Sequence, residues 1–231
     1  MRALALLALL LAGCSAPFDP AAIPAAEHVV LVKSARLPDK WGPLVSRAHH
    51  AWFEFKDGPD RPWERLEVLA QGAIQFDDMV HRRTLEPAEV RRGTRWEHPV
   101  HLLSTLEGAP ARRAIGALRR TAREYEAPRR YFAWPGPNSN SFVERLLRRC
   151  PELHAELHHN SVGKDWTLLD GGLTGSGTGV ALDLPLLGIQ LGLDDGVQLH
   201  VLGLVWGVDL WPPALLLPFL PRLGCPQHGA W

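Results

Sequence analysis

Most features that would announce a function are missing from this chain. Lys plus Arg and Asp plus Glu both total 25 in 231 residues, so there is no net positive field of the kind a general nucleic-acid binder needs. No nucleic-acid partner is expected. There are 3 cysteines and no CxxC pair, which argues against a disulfide-built scaffold and against a thiolate zinc site. No apolar run is long and uncharged enough to span a bilayer as a helix. The Gly-rich stretch Gly175–Gly179 has no Lys-Ser or Lys-Thr after it, so a phosphate cradle is a weak reading. There is no internal repeat beyond a paired Gly/Leu texture near the C-terminus. No cofactor and no metal are expected. The length suits one domain with a proper core, not two.

What is present begins at the N-terminus. Met1-Arg2 is a short basic start, and Ala3–Ala12 is almost wholly Leu and Ala. That run has the length of a signal-peptide core and is too short to cross a membrane. It ends Leu11-Ala12-Gly13-Cys14, which resembles a bacterial lipoprotein lipobox. The resemblance implies cleavage after residue 13 and a lipid on Cys14. Ser15 then favours the outer membrane, facing the periplasm. Residues 14–27 read as lipidated cysteine and a Pro/Ala tether, residues 28–224 as one α+β domain, and residues 225–231 as a tail. An exported compartment permits a Cys150–Cys225 disulfide, but two free thiols are the simpler reading.

The periodicities predict an antiparallel sheet with two packed helices. Strands are expected at Val29–Val32, Ala48–Phe55, Arg65–Ala70, Val80–Leu85 and Val100–Leu103. In the second, Ala51, Phe53 and Phe55 share one face, and His50, Trp52 and Glu54 the other. In the third, Arg65 and Glu67 oppose Leu66 and Val68. Asp57–Asp60 is a turn, and Trp63 is expected in the loop it begins. Pro110–Tyr125 reads as a helix with an apolar stripe; its arginines 112, 113, 119, 120 and 123 form a solvated face or a contact to anionic head groups. Glu152–Asn160 predicts a short helix, with His154 and His158 at the i, i+4 spacing of zinc ligands, but nothing completes such a site and a surface pair is the simpler reading.

Val180–Leu193 and Val197–Asp209, joined by Asp194-Asp195-Gly196, predict a Gly/Leu-rich β-hairpin. Trp211–Leu223 has four prolines and is expected to be irregular. Packing on the core, or an apolar flap facing a membrane, would both account for this region.

Trp134–Phe142, WPGPNSNSF, is the stretch around which a site is expected. Its prolines and glycine bar helix and strand, and Ser141 with Glu144 reads as a capping box that opens a helix to Cys150. Ser139 therefore stands where orphan backbone N–H groups and the helix dipole favour negative charge. Together with the His50–Trp52 strand, Gly163–Trp166 (GKDW) and the Gly175–Gly179 loop, this segment resembles a bacterial family known only as a domain of unknown function, from about Val29 to Gly224.

A more distant resemblance is to the circularly permuted branch of the papain-like NlpC-type superfamily. It implies a strand histidine at His50, with His49 as alternate, an orienting residue at Glu67, and a nucleophile within Asn138–Phe142. Ser139 stands where the superfamily has cysteine. Asn138, Asn140, Trp134 and Trp52 would contact substrate. Three readings of Ser139 stay open. It is a working nucleophile, a relic in a binding cleft, or a loop and cap residue. The first implies an acyl or amide hydrolase or transferase acting on envelope material, either polymer or lipid. The second implies a non-catalytic envelope binding or assembly lipoprotein.

Overall fold

β-branched and aromatic runs build the first sheet. The computed structural model describes residues 19, 23–69, 80–124 and 131–225. In chain order the strands are β1 (His28–Arg36), β2 (His49–Asp57), β3 (Trp63–Val68), β4 (Val80–Leu85), β5 (Thr94–Arg95) and β6 (His98–Glu107). They pair antiparallel in the order β4-β3-β2-β1-β6-β5. β1 is central, and its middle residues are buried on both faces. Trp63 opens β3 and is not in the preceding loop, because its ring is needed against Val29, Leu31 and Leu85.

Helices α1 (Gly108–Arg123) and α2 (Ser139–Arg148) cover one face. Ile115, Leu118, Phe142 and Leu146 pack there on Val30, Val32, Phe53 and Phe55. Fully burying each such side chain stabilises the fold by about 1.5–3 kcal/mol. Ala70 and Tyr125, the last residues of the expected strand and helix, lie outside the described residues. Arg119 is not simply solvated: it pairs with Asp57 and Glu64 and lies over the Phe55 ring.

Helix α2 starts earlier than predicted. Asn138, extended at φ −145°, is the cap, and Ser141 completes the capping box by accepting from the Asn138 N–H at 2.8 Å. Glu144 pairs instead with Arg148. The Glu152–Asn160 helix does not form. A single turn, Pro151–Leu153, closes at His154 with left-handed φ 44°, and Ala155 then donates to Gly175 O at 3.1 Å. His154 and His158 therefore share no helix face. Cys150 and Cys225 are both free thiols, so the disulfide is absent.

The expected two-stranded C-terminal hairpin is a larger structure. β7 (Asp170–Leu173), β8 (Gly179–Asp183), β9 (Leu187–Gly192), β10 (Gly196–Val201), β11 (Leu204–Leu210), β12 (Pro213–Leu216) and β13 (Leu223–Gly224) form one antiparallel sheet in sequence order. The stretch expected to be irregular, Trp211–Leu223, supplies β12. The Gly175–Gly179 loop is fastened: Thr174 and Ser176 hydroxyls donate to Asp195 Oδ2 at 2.8 and 2.7 Å. No helix among the described residues is long and apolar enough to cross a membrane.

Candidate active site

The first turn of α2 is fastened to the first residues of β2 by one side chain. Asn140 Oδ1 accepts from Ala51 N at 3.2 Å, and its Nδ2 donates to His49 O at 2.9 Å. The amide thus grips the strand on both sides of His50. Asn138 acts within the turn: its Oδ1 accepts from Asn140 N and Ser141 N, and its Nδ2 donates to Ala133 O and Val162 O. Gly163 is held close at φ +76°, where a Cβ would fall 2.3 Å from Asn138 Nδ2. Asn138 and Asn140 line the neighbouring cavity, but their amides are committed to backbone groups. Their hydrogen bonds position Ser139 and leave little for a ligand.

This fastening sets Ser139 Oγ 3.1 Å from His50 Nδ1, and His50 Nε2 lies 2.9 Å from Glu67 Oε2. A carboxylate only accepts, so Nε2 carries the proton and Nδ1 presents its lone pair to the Ser139 hydroxyl. Burial lowers the His50 pKa against the opposing effect of Glu67, so the ring rests neutral. Burial would raise Glu67, but the His50 hydrogen bond and the charges around it, Arg95 among them, win and hold it ionised. Arg95 reaches Glu67 Oε2 at 2.7 Å and lies over the Trp52 and Trp96 rings at 4.4 and 4.7 Å.

Two residues here were not singled out from sequence. Arg95 lies in a two-residue strand with no periodic signal. Tyr131, raised in pKa by burial, is hydrogen-bonded to both the side chain and the backbone of Ser139. Asn138 already occupies the N–H groups of residues 140 and 141 and the Ser139 N–H is turned to Tyr131, so the Tyr131 hydroxyl is the group beside the Ser139 oxygen that can donate. A weak signal existed: Tyr131 opens the aromatic run that leads into the proline-rich loop.

Ser139 and His50 open onto a cavity of about 790 Å³. Its walls are mainly apolar, with Trp41, Leu44, Val45, Trp96, Trp134 and Leu204 among them. Trp134 is thus where a substrate contact was expected. Trp52 is not: it is fully buried behind His50, its indole N–H donating to Glu54 at 3.0 Å.

His49, the alternate base, makes no bond to Ser139 and enters a histidine stack. Its ring lies 3.9 Å from that of His158 at 6°, and His158 lies 4.3 Å from His159. Burial holds all three below the usual histidine range, His159 from 6.5 down to about 4. The unfolded chain therefore takes protons first, and stability is lost as the pH falls from about 6.5 toward 4. For His159 the loss is roughly 3 kcal/mol at about 1.4 kcal/mol per unit. Glu156, pushed up to about 7 by burial and Asp195, acts in the opposite sense. The difference between wild type and His159→Gln isolates the histidine: in urea unfolding the variant loses about 3 kcal/mol less between pH 7.5 and 4.

Asp165, Asp183 and His200 bring ligand-type atoms within 4.8 Å of one another. Arg148 and Lys164 already lie against these carboxylates, at 2.5 Å from Asp183 and 2.7 Å from Asp165. That chemistry fits an ion-pair network and not a cation site.

No curated protein and no solved structure matches the chain. A family profile does, over residues 27–166. It takes in the His50 strand, Glu67, the Trp134–Phe142 segment and Gly163–Trp166, and it stops before the Gly175–Gly179 loop and the second sheet. The resemblance expected to run to Gly224 is therefore shown only for this first part. The match covers more than half of the chain, and the chain belongs to the family described as Protein of unknown function (DUF3750).

Proposed function

We propose that the protein is a serine hydrolase or acyltransferase with Ser139 as nucleophile, His50 as general base and Glu67 as the residue that orients His50. The observation that carries this reading is the Ser139–His50–Glu67 relay, 3.1 and 2.9 Å, at the floor of an apolar cavity. Ser139 Oγ attacks a carbonyl carbon while its proton passes to His50 Nδ1. The carbonyl oxygen gathers negative charge beside the Tyr131 hydroxyl, at the N-terminal end of α2. The bond to the leaving group breaks as His50 returns the proton to it. Water, or an acceptor hydroxyl or amine, then releases the acyl group by the same steps in reverse. Serine needs this base during attack, because its hydroxyl does not ionise on its own as a thiol does.

The cavity walls favour a substrate with an apolar acyl arm over a polar peptide. The order of histidine strand, glutamate strand and nucleophile helix supports a permuted papain-like relationship. The LAGC segment at residues 11–14, outside the described residues, supports lipid anchoring at Cys14 in the cell envelope, at the outer membrane facing the periplasm. Lipid acyl groups are then the first substrates to test, and envelope polymer the second.

One experiment carries both parts. A fluorophosphonate probe and a fatty-acid label are applied to cells expressing wild type, Ser139→Ala and Cys14→Ser. The probe is expected on wild type and Cys14→Ser but not on Ser139→Ala, and the fatty acid on all but Cys14→Ser. Equal phosphonate labelling of wild type and Ser139→Ala removes the nucleophile and leaves a non-catalytic binding lipoprotein. Fatty acid retained by Cys14→Ser removes the anchor.

A further inference from the structure

The second sheet is built inside out. Along β8, β10 and β11 the buried side chains are Asp183, Gln198, His200 and Asp209, with Ala181 and Val205 the apolar ones among them, and the exposed side chains are apolar. The register lines these up across strands. Leu173, Val180, Leu191, Val197, Val208 and Leu215 form one continuous row from β7 to β12. Leu182, Ile189, Leu199 and Trp206 form a second row beside it. Every residue of the two rows is exposed, from 39% at Ile189 to 56% at Val180. Scattered apolar side chains on a surface are ordinary; contiguous rows over six strands are not.

We propose that this face seats the domain on a lipid bilayer. Four observations choose lipid over a second protein surface. First, the face offers almost no hydrogen-bonding side chains. The charged residues between Gly171 and Pro221 are Asp183, Asp194, Asp195 and Asp209, and all but Asp194, in a turn, are buried. Protein interfaces carry about one hydrogen bond per 100–200 Å², and in these rows the Trp206 indole N–H is the one side-chain group able to make one. Second, apolar-out and polar-in alternation is the pattern of strands that face hydrocarbon. The strands of 4–7 residues are shorter than the roughly 9–11 needed to span, so the sheet lies on the membrane and does not cross it. Third, Trp206 and Trp211 are 47% and 68% exposed, and indole prefers the interfacial layer. Fourth, Cys14 precedes β1 by 14 residues, about 50 Å when extended, which keeps a lipid at Cys14 within reach of the same bilayer.

The seat also reaches the site. Leu204 at the start of β11 and Phe219 beyond β12 wall the cavity above Ser139. The docking does not depend on Ser139 being a nucleophile.

The test uses full-length Cys14→Ser protein floated with phosphatidylcholine vesicles, with and without Leu182→Gln/Leu199→Gln/Val208→Gln. Both chains carry residues 1–13, so their difference reports the face. Partition is expected to fall on the order of a hundredfold in the triple variant. Unchanged partition overturns the proposal. So does a dimer in lipid-free sedimentation that the triple variant abolishes while vesicles bind neither chain, which identifies a second copy as the occupant. Should the triple variant fail to fold, vesicles of brominated phosphatidylcholine decide. Their quenching of tryptophan fluorescence is expected to drop in Trp206→Phe/Trp211→Phe, and equal quenching in both chains overturns the docking.

Discussion

Glu67→Gln is expected to lower turnover of a p-nitrophenyl acyl ester about ten-thousand-fold, the size of effect seen when a serine triad exchanges its carboxylate for an amide. The carboxylate can only accept, so it fixes the proton on His50 Nε2 and the lone pair on Nδ1, which faces Ser139 at 3.1 Å. A glutamine can turn its N–H toward Nε2. The proton then sits on Nδ1, where the Ser139 proton has to go, and attack stalls. The change also removes the charge that Arg95 meets at 2.7 Å. Arg95 is mostly buried, so some stability is lost as well. Thermal unfolding separates the two effects. A variant that is folded at the assay temperature and still works within tenfold of wild type would remove Glu67 from the mechanism.

The contact among these three residues was legible for local reasons. Alternation in β2 and β3 put His50 and Glu67 on one face, and a loop of prolines ending in Asn138 fixed where a helix could begin. Their chemistry is a proposal; their proximity is geometry. Arg95 and Tyr131 gave no such signal. One lies in a strand of two residues and the other in a loop, and only tertiary closure brings them to Glu67 and Ser139. Trp52 shows the opposite failure. It was placed on the correct face, but that face is covered by Lys33, Glu54 and Arg95 and not by a cleft.

The second sheet was misread for a different reason. Its Leu/Val and Gly alternation announces strands plainly. It does not say where they break, and each long stretch divides into two strands around Leu184–Leu186 or Leu202-Gly203. Nor does alternation say which side faces inward. Apolar-in is the usual assumption, and here it assigns every side chain of β10 to the wrong side. The buried acidic residues Asp183 and Asp209 become intelligible only when the cations that meet them, Arg148 and Arg222, are placed by the fold.

Arg148 is accordingly where the largest loss of stability is expected. It leaves α2 one helical turn after Glu144 and reaches Glu144 at 3.1 Å, Asp183 of β8 at 2.5 Å and Asp165 at 3.6 Å. The helix that begins with Ser139 is thus joined to the second sheet through one guanidinium. Arg148→Met keeps much of the volume and strands buried carboxylates, which costs about 3–5 kcal/mol. Against a total of about 5–15 kcal/mol, that removes much of the fold's margin. Arg149→Met, one residue on and exposed, is expected to change stability by less than about 0.5 kcal/mol. The pH dependence identifies the cause. In wild type burial raises Asp183, but the His200 hydrogen bond and the Arg148 charge outweigh it and keep its pKa below the usual value. Asp183 therefore stabilises the fold above that value, and the contribution is lost as the pH falls through the depressed pKa. Without Arg148 burial prevails and the carboxylates rise. At these carboxylates the folded variant then binds more protons than the unfolded chain, and their contribution to stability increases as the pH falls from neutral, while the histidine loss is common to both chains. Urea unfolding followed by circular dichroism should show the gap between wild type and Arg148→Met narrowing from pH 7.5 to 5.5. A gap that stays constant would mean that the loss comes from packing of the arginine stem and not from its charge.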